Sequence, residues 1–249
     1  MPKGGEQKKV EAYGISDKGK QRNMNQDTIY YSTEPVGILQ NLFIVADGMG
    51  GHASGDFASR YTVEQLVSLL SKTKNGSLIS QIDSNIRLVN NMLVRYAAEN
   101  LDMYGMGTTL VMATFEENTA YVANIGDSRL YLVGETIRQI TRDHSYVEEL
   151  VSNGQIKRGS EEYNRQKNVI TRAVGNPAGV TADYFEIDIR EGDKILMCSD
   201  GLSNMISDEE MLYIIQNGYD LKETVKTLVD RANEEGGTDN ISCLLIKPL

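Results

Sequence analysis

The feature that most constrains this chain is an apolar run closed by a carboxylate and a cluster of glycines: Leu42-Phe43-Ile44-Val45-Ala46-Asp47-Gly48-Met49-Gly50-Gly51-His52. A short apolar run rich in β-branched residues reads as a buried strand. It ends at Asp47. The glycines that follow carry no Cβ, so the backbone can turn sharply and its carbonyls can come close to another group. A carboxylate at a strand end beside an exposed carbonyl suits a hard cation such as Mg²⁺ or Mn²⁺. Taken alone, the stretch also fits an ordinary strand followed by a glycine turn.

The design recurs. Lys194 to Cys198 is an apolar run followed by Ser199-Asp200-Gly201, and Ala120 to Ile125 is one followed by Gly126-Asp127-Ser128-Arg129. Asp239, in Gly236-Gly237-Thr238-Asp239-Asn240, stands just before the run Ile241 to Ile246, with Asn240 between. One aspartate at a strand end is a turn residue. Asp47, Asp127, Asp200 and Asp239, each near glycine and each abutting a buried run, suggest carboxylates gathered on one edge of a core. Carboxylates brought together repel unless cations neutralise them.

At 249 residues the chain is long enough for one large domain or two small ones. A formal net charge of -10 without a Lys/Arg cluster argues against nucleic acid as a partner. A phosphorylated substrate stays admissible, because bound divalent cations invert the local field. Cys198 and Cys243 both fall inside predicted buried strands and read as small buried hydrophobes. No apolar run approaches the ~18 residues of a membrane span, and Met1 to Glu11 lacks a signal-peptide apolar core, so a cytoplasmic protein is expected.

In chain order, residues 1–9 are expected as a frayed end and 10–249 as one domain. Strands are expected at Val10–Ser16, at Thr28–Ser32 and within Gly37–Ala46. Val63, Leu66, Val67 and Leu70, then Ile79, Ile82, Ile86, Val89, Leu93 and Ala97, give two amphipathic helices. Between them, Asn75-Gly76-Ser77 offers a C-cap and an N-cap. Gly105–Phe115, Thr119–Ile125, Arg129–Val133 and Thr136–Ile140 read as consecutive strands, whose short links require antiparallel pairing. The polar segment at about 145–175 has the character of a functional flap. Two more strands, a helix after the capping-box pattern Ser207-Asp208-Glu209-Glu210, another amphipathic helix and a last strand complete the chain. Helices covering antiparallel strands on both sides indicate two stacked sheets with helices outside.

Seven motifs occur in order: Arg22-Asn23-Met24-Asn25-Gln26-Asp27, Asp47-Gly48-Met49-Gly50-Gly51-His52, Gly107-Thr108-Thr109, Gly126-Asp127-Ser128-Arg129, Asp143-His144-Ser145, Ser199-Asp200-Gly201-Leu202 and Gly237-Thr238-Asp239-Asn240. From about residue 10 to the C-terminus the chain resembles the metal-dependent protein phosphatase family (type 2C, PPM) in its compact bacterial form. The resemblance implies an α+β fold, a four-layer α-β-β-α sandwich of two antiparallel sheets flanked by helices. It implies two Mn²⁺ or Mg²⁺ ions, with Asp47 bridging them, the Gly48 carbonyl on one, and Asp200 and Asp239 on the other. A third, weaker metal site would use Asp127 with Asp200. Asp27 would sit near the pair through water, and Arg22 would hold the substrate phosphate, since a guanidinium fork matches phosphate oxygens. Structurally, Asp127 is equally placed to pair with Arg129, and Thr108 and Thr109 are expected to hydrogen-bond within the sheet.

Two positions depart from the family pattern. Animal members carry a His directly after the Asp-Gly pair, proposed as general acid; here that position is Met49, and His52 is not its equivalent. Either water or another group must then protonate the leaving alkoxide. Neither His52 nor His144 is assigned a catalytic role. Asn204 stands where some relatives have Asp, which weakens the third site.

The resemblance implies an Mn/Mg-dependent phosphoserine/phosphothreonine protein phosphatase in which metal-activated water attacks phosphorus directly. It would act as a monomer on phosphorylated Ser/Thr proteins and oppose a bacterial Ser/Thr kinase. The alternatives are a phosphatase of one small regulatory phosphoprotein and a catalytically silent binding module of the same fold.

Overall fold

Leu42, Phe43, Ile44, Val45 and Ala46 are all fully shielded from solvent, which demands cover on both faces of their strand. The computed structural model, which describes residues 10–51 and 54–248, shows how that cover arises. Residues 1–9 and His52 lie outside the described residues. The strands are β1 (Glu11–Asp17), β2 (Asp27–Ser32), β3 (Leu42–Met49), β4 (Gly107–Thr108), β5 (Leu110–Glu116), β6 (Thr119–Ile125), β7 (Arg129–Val133), β8 (Ile137–Gln139), β9 (Asp183–Asp188), β10 (Lys194–Cys198) and β11 (Ile241–Lys247). They form two sheets, in the orders β1-β11-β10-β7-β8 and β2-β3-β5-β6-β9, with β4 beside β3. Every pairing between them is antiparallel.

The helices are α1 (Ser54–Leu70), α2 (Leu78–Glu99), α3 (Tyr146–Ser152), α4 (Glu161–Gln166), α5 (Asp200–Ser203), α6 (Asp208–Asn217) and α7 (Leu221–Glu234). Side-chain alternation along the strands distributes them among three apolar layers. Leu42, Ile44 and Ala46 pack with Leu66, Leu70, Ile86 and Leu93 of α1 and α2. Phe43 and Val45 face the other way and meet Leu130, Met197 and Leu244 of the opposite sheet. Leu196, Cys198, Cys243 and Leu245 pack under Met211, Val225 and Leu228 of α6 and α7. Helix, sheet, sheet, helix is therefore the layer order, as expected. Each fully buried Leu or Phe in these layers contributes about 1.5–3 kcal/mol of transfer free energy.

Cys198 and Cys243 stand opposite one another in the β10–β11 register. Both are free and buried, and burial pushes the Cys198 thiol up to about 12. They act as small apolar side chains.

Several expected boundaries move. β3 does not end at Asp47; it continues through Gly48, opposite Thr108, and Met49, opposite Gly107. Gly48 serves close approach rather than a turn, since a Cβ there would lie 2.0 Å from the Gly55 carbonyl oxygen. The strand expected over 105–115 breaks at Thr109, between β4 and β5. The 145–175 segment carries two short helices, α3 and α4, of which only the first showed apolar spacing. Ser207 caps α6 by accepting from Glu210 N at 3.2 Å, but the Glu210 carboxylate goes to Arg231, so the capping box is half made. Ser77 occupies the N-cap of α2 without a side-chain bond.

In an antiparallel sheet the end of one strand adjoins the start of the next. The register places the ends of β3, β6 and β10 beside the starts of β2, β5, β7 and β11. Asp27, Asp47, Asp127, Asp200 and Asp239 fall at or beside these termini.

Candidate metal centre and active site

Asp47 follows Phe43 and Val45 on the face of β3 that looks between the sheets. Its backbone is gripped on both sides. Thr109 Oγ1 accepts from Asp47 N at 2.9 Å, and Thr109 N and Thr108 Oγ1 donate to Asp47 O at 2.8 and 2.9 Å. A further hydroxyl contact of 2.7 Å joins Thr109 to Ser128. The break between β4 and β5 thus turns two threonines onto one aspartate. Asp27 is the register partner of Asp47 on β2, and its Oδ2 accepts from Ser199 Oγ at 2.7 Å. That bond crosses from one sheet to the other.

Asp200 opens the short helix α5, and Asn204 Nδ2 donates to its Oδ2 at 3.0 Å. Asp239 Oδ2 accepts from Arg22 Nη2 at 2.7 Å. Arg22 is presented by a loop whose organiser is Asn240. The Asn240 amide donates to Lys18 O and Met24 O at 2.8 and 2.9 Å and accepts from Gln26 N at 2.8 Å.

Asp127 lies in the crossover from β6 to β7. Gly126 takes φ +97 there, and an added Cβ would sit 2.6 Å from Thr109. His144 clamps the turn. Its Nδ1 accepts from Gly126 N at 3.1 Å, its own N donates to Gly126 O at 2.9 Å, and its Nε2 meets Asp183 Oδ2 at 3.0 Å. With Nδ1 accepting, the proton belongs on Nε2, directed at Asp183. Burial holds the His144 pKa below its usual value. This histidine is structural. Arg129 does not pair with Asp127; its guanidinium turns to Asp143 at 2.7 Å.

Asp47, Asp127, Asp200, Asp239, Gly48 and Arg22 all line one cavity of about 230 Å³, with Met49 and Thr109. A larger cavity of about 700 Å³, near Arg138 and Glu186, contains none of these aspartates, and size alone does not make it the reactive one. The electrostatics single out the smaller. Burial, then the charges of Asp27, Asp200, Asp127 and Asp239, raise the Asp47 carboxyl well above its ordinary range. Burial raises Asp27 to about 7 against the pull of Ser199 and Ser242. Burial and Asp200 raise Asp127 to about 8. Burial and Asp239 raise Asp200 to about 6, opposed by Lys167. Asp27 Oδ1 and Asp200 Oδ1 are buried without a hydrogen-bond donor.

Such a group of desolvated, under-neutralised carboxylates calls for positive charge. The donors are oxygens, without His or Cys, which fits Mn²⁺ or Mg²⁺ better than softer ions. Among the described residues no three His, Cys, Asp or Glu side chains converge on one point. The carboxylates stand around the cavity wall instead, as mutually repelling charges should. Sequence reasoning passed over Ser199, Asn240 and Lys167, which act through side-chain bonds between segments distant in the chain. Ser199 and Asn240 carried a local signal, their places beside Asp200 and Asp239; Lys167 carried none.

Comparison with known proteins agrees with this geometry. The sequence profile of protein phosphatase 2C matches residues 18–246. The serine/threonine phosphatase stp of Listeria welshimeri is 37% identical, with 93% of each chain covered. The serine/threonine phosphatase of S. agalactiae superposes with a TM-score of 0.90 at 32% identity, covering 96% of this chain and all of that one. The catalytic domain of the serine/threonine protein phosphatase PstP, solved with two manganese ions, superposes with a TM-score of 0.82 at 33% identity, covering 96% and 97%. Agreement in sequence and in backbone over nearly the whole length leaves one conclusion: the chain belongs to the protein phosphatase 2C family and is one of its bacterial enzymes.

Proposed function

We propose that the protein hydrolyses phosphoserine and phosphothreonine in proteins, with Mn²⁺ or Mg²⁺ as its cofactor. The observation that carries this reading is the cavity in which four aspartates, three of them with raised proton affinity, face one exposed guanidinium, Arg22. Asp47, Asp200 and Asp239 would hold two ions with the Gly48 carbonyl, and Asp127 with Asp200 a weaker third. Bound there, such ions activate water and neutralise charge on the transferring phosphoryl group.

The chain's own side chains do the rest. Arg22 stands half-exposed at the rim, where its fork can leave Asp239 for two phosphate oxygens. Asp27 presents its unpaired Oδ1 as an acceptor that orients a water molecule. Thr109 and Thr108 fix the Asp47 backbone, so its carboxylate enters the cavity at a set angle. Met49 lines the cavity and carries no titratable proton, so water or another group protonates the leaving oxygen. The segment at 145–175 acts as a flap beside the cavity through Asn168 and Ile170. The names of the relatives support phosphorylated Ser/Thr proteins as substrates; the proposal adds a bacterial Ser/Thr kinase as the opposing activity and a monomer as the working form. Among the described residues no helix is long and apolar enough to cross a membrane.

The test is phosphate release from a phosphothreonine peptide by chelator-treated protein, with and without added Mn²⁺. Turnover that appears with Mn²⁺ and disappears on re-chelation supports the reading. A folded protein that binds Mn²⁺ and turns over neither this peptide nor p-nitrophenyl phosphate contradicts it.

A further inference from the structure

A second cavity of about 160 Å³ adjoins the first and shares Asp127 and Asp200 with it; Asp143, Tyr163, Lys167 and Asn204 contribute to its other walls. Two cationic side chains face this space, Arg129 and Lys167. Arg129 is committed to Asp143, with Nε–Oδ1 and Nη2–Oδ2 distances of 3.0 and 2.7 Å. Among the described residues, Lys167 forms no ion pair with a carboxylate. Its Nζ donates to Asn204 Oδ1 at 2.8 Å, and the same amide donates from Nδ2 to Asp200 Oδ2 at 3.0 Å.

An ionised carboxylate at position 204 could not complete that chain. The linking side chain must accept from an ammonium at one end and donate to a carboxylate at the other, and ionised Asp or Glu has no donor. The ammonium also acts through space, since Lys167 is the leading influence that favours the charged form of Asp200.

The contact has a mechanical side. Lys167 is the C-cap of α4, and the rest of this segment is anchored on buried Glu148. Arg158 Nε and Tyr163 OH donate to Glu148 Oε1 at 2.8 and 2.9 Å. The bond to Asn204 ties the free end of α4 to the aspartate edge.

We propose that Lys167 is the resident cation of the second cavity: its ammonium occupies the electrostatic role that a third divalent ion would take beside Asp127 and Asp200, and its bond to Asn204 latches α4 over the centre. This rests on the reading that the first cavity takes metal ions, and the experiment separates the two.

Mn²⁺ uptake is counted by titration with EPR detection of free Mn²⁺, on wild type and on Lys167→Met, Lys167→Arg and Asn204→Asp. Wild type and Lys167→Arg take up two ions tightly, and any third only weakly. Lys167→Met and Asn204→Asp each gain a third, at least about tenfold tighter than any residual third site in wild type. In parallel, amide exchange at Asn164 and Val169 quickens in Lys167→Met, because the latch is gone. Asn204→Asp, which changes a helix-end side chain by one atom, keeps the test open if Lys167→Met folds poorly. Three ions in wild type, with affinities unmoved by Lys167→Met and Asn204→Asp, overturn the proposal and leave the two-ion reading standing. No Mn²⁺ uptake by folded wild type overturns both.

Discussion

Asp27 and Asp47 stand opposite one another in the β2–β3 register, and burial raises the proton affinity of both. Like charges directly opposite in an antiparallel pair destabilise it. The pair is therefore held in place by its surroundings: Thr109 on the Asp47 backbone and Ser199 on the Asp27 carboxylate.

A pH dependence follows for the metal-free protein. Asp27, Asp127 and Asp200 rise from 3.8 to about 7, 8 and 6 in the folded state. The folded protein then keeps protons that the unfolded chain has released. The stability these groups contribute is full below about 3.8 and is lost as pH rises through about 6 to 8. His144, lowered from 6.5, works the other way, but only below that value. The Tm measured in chelator should fall between about pH 6.5 and 8.5. With saturating Mn²⁺ the fall should vanish, because deprotonated carboxylates bind the ion better. A flat chelated profile would contradict the assignment.

Arg22 is tested by its conservative variant. Its side chain is half-exposed, so Arg22→Lys should fold normally. Lysine retains the charge and loses the bidentate fork. KM for a phosphopeptide should rise about tenfold, with a smaller change in kcat. An unchanged KM would remove Arg22 from phosphate binding.

Asp239→Asn removes one negative charge at the cavity edge while keeping the side-chain shape. Activity should fall by about 100-fold or more, together with Mn²⁺ affinity. The Tm in chelator should hold or rise, because repulsion with Asp200 is relieved. Near-normal turnover would count against the two-ion centre.

Thr109→Val preserves shape and deletes the oxygen that receives Asp47 N at 2.9 Å. It should cost about 1–3 kcal/mol of stability, because a buried donor is left unpaired. It should also lower kcat by more than it raises KM, since Asp47 is no longer held at a fixed angle. Denaturant unfolding and steady-state kinetics read the two effects separately.

Gly48→Ala should be severe. The new Cβ would meet backbone, 2.0 Å from Gly55 O and 2.6 Å from Gln26 O, and backbone yields less than a side chain. A loss of about 3 kcal/mol or more is expected, read as a lowered denaturation midpoint. A variant as stable as the parent would show that α1 can move away from β3.

What could be read from the sequence divides along physical lines. β3, β10 and β11 were legible because burial on both faces writes an uninterrupted apolar run. α1, α2 and α7 showed their stripe because one face is buried. The aspartates were legible because each interrupts such a run beside glycine. Contacts between distant segments were not: Ser199 with Asp27, Asn240 with the 18–26 loop, and Lys167 with Asn204 join residues 172, 222 and 37 positions apart at the widest. Sequence proximity offers Arg129 as a local partner of Asp127 on an equal footing with a metal role, yet Asp143, which follows the β7–β8 hairpin, takes the guanidinium. β3 runs past Asp47 because Gly48 and Met49 find partners in β4, which no local pattern encodes. α5, four residues long, is too short to show a period.

The two sheets contribute unequally placed halves of the acidic cradle. Asp27 and Asp47 belong to one sheet, Asp200 and Asp239 flank strands of the other, and Asp127 rides the crossover between them. The gap between the halves is therefore gauged by the apolar filling of Phe43, Val45, Leu130, Met197 and Leu244. That filling is a spacer, and its thickness calibrates how far apart the charges stand. Shaving a methylene from Met197 would retune the chemistry from inside the molecule, leaving every ligand and its immediate neighbours unaltered.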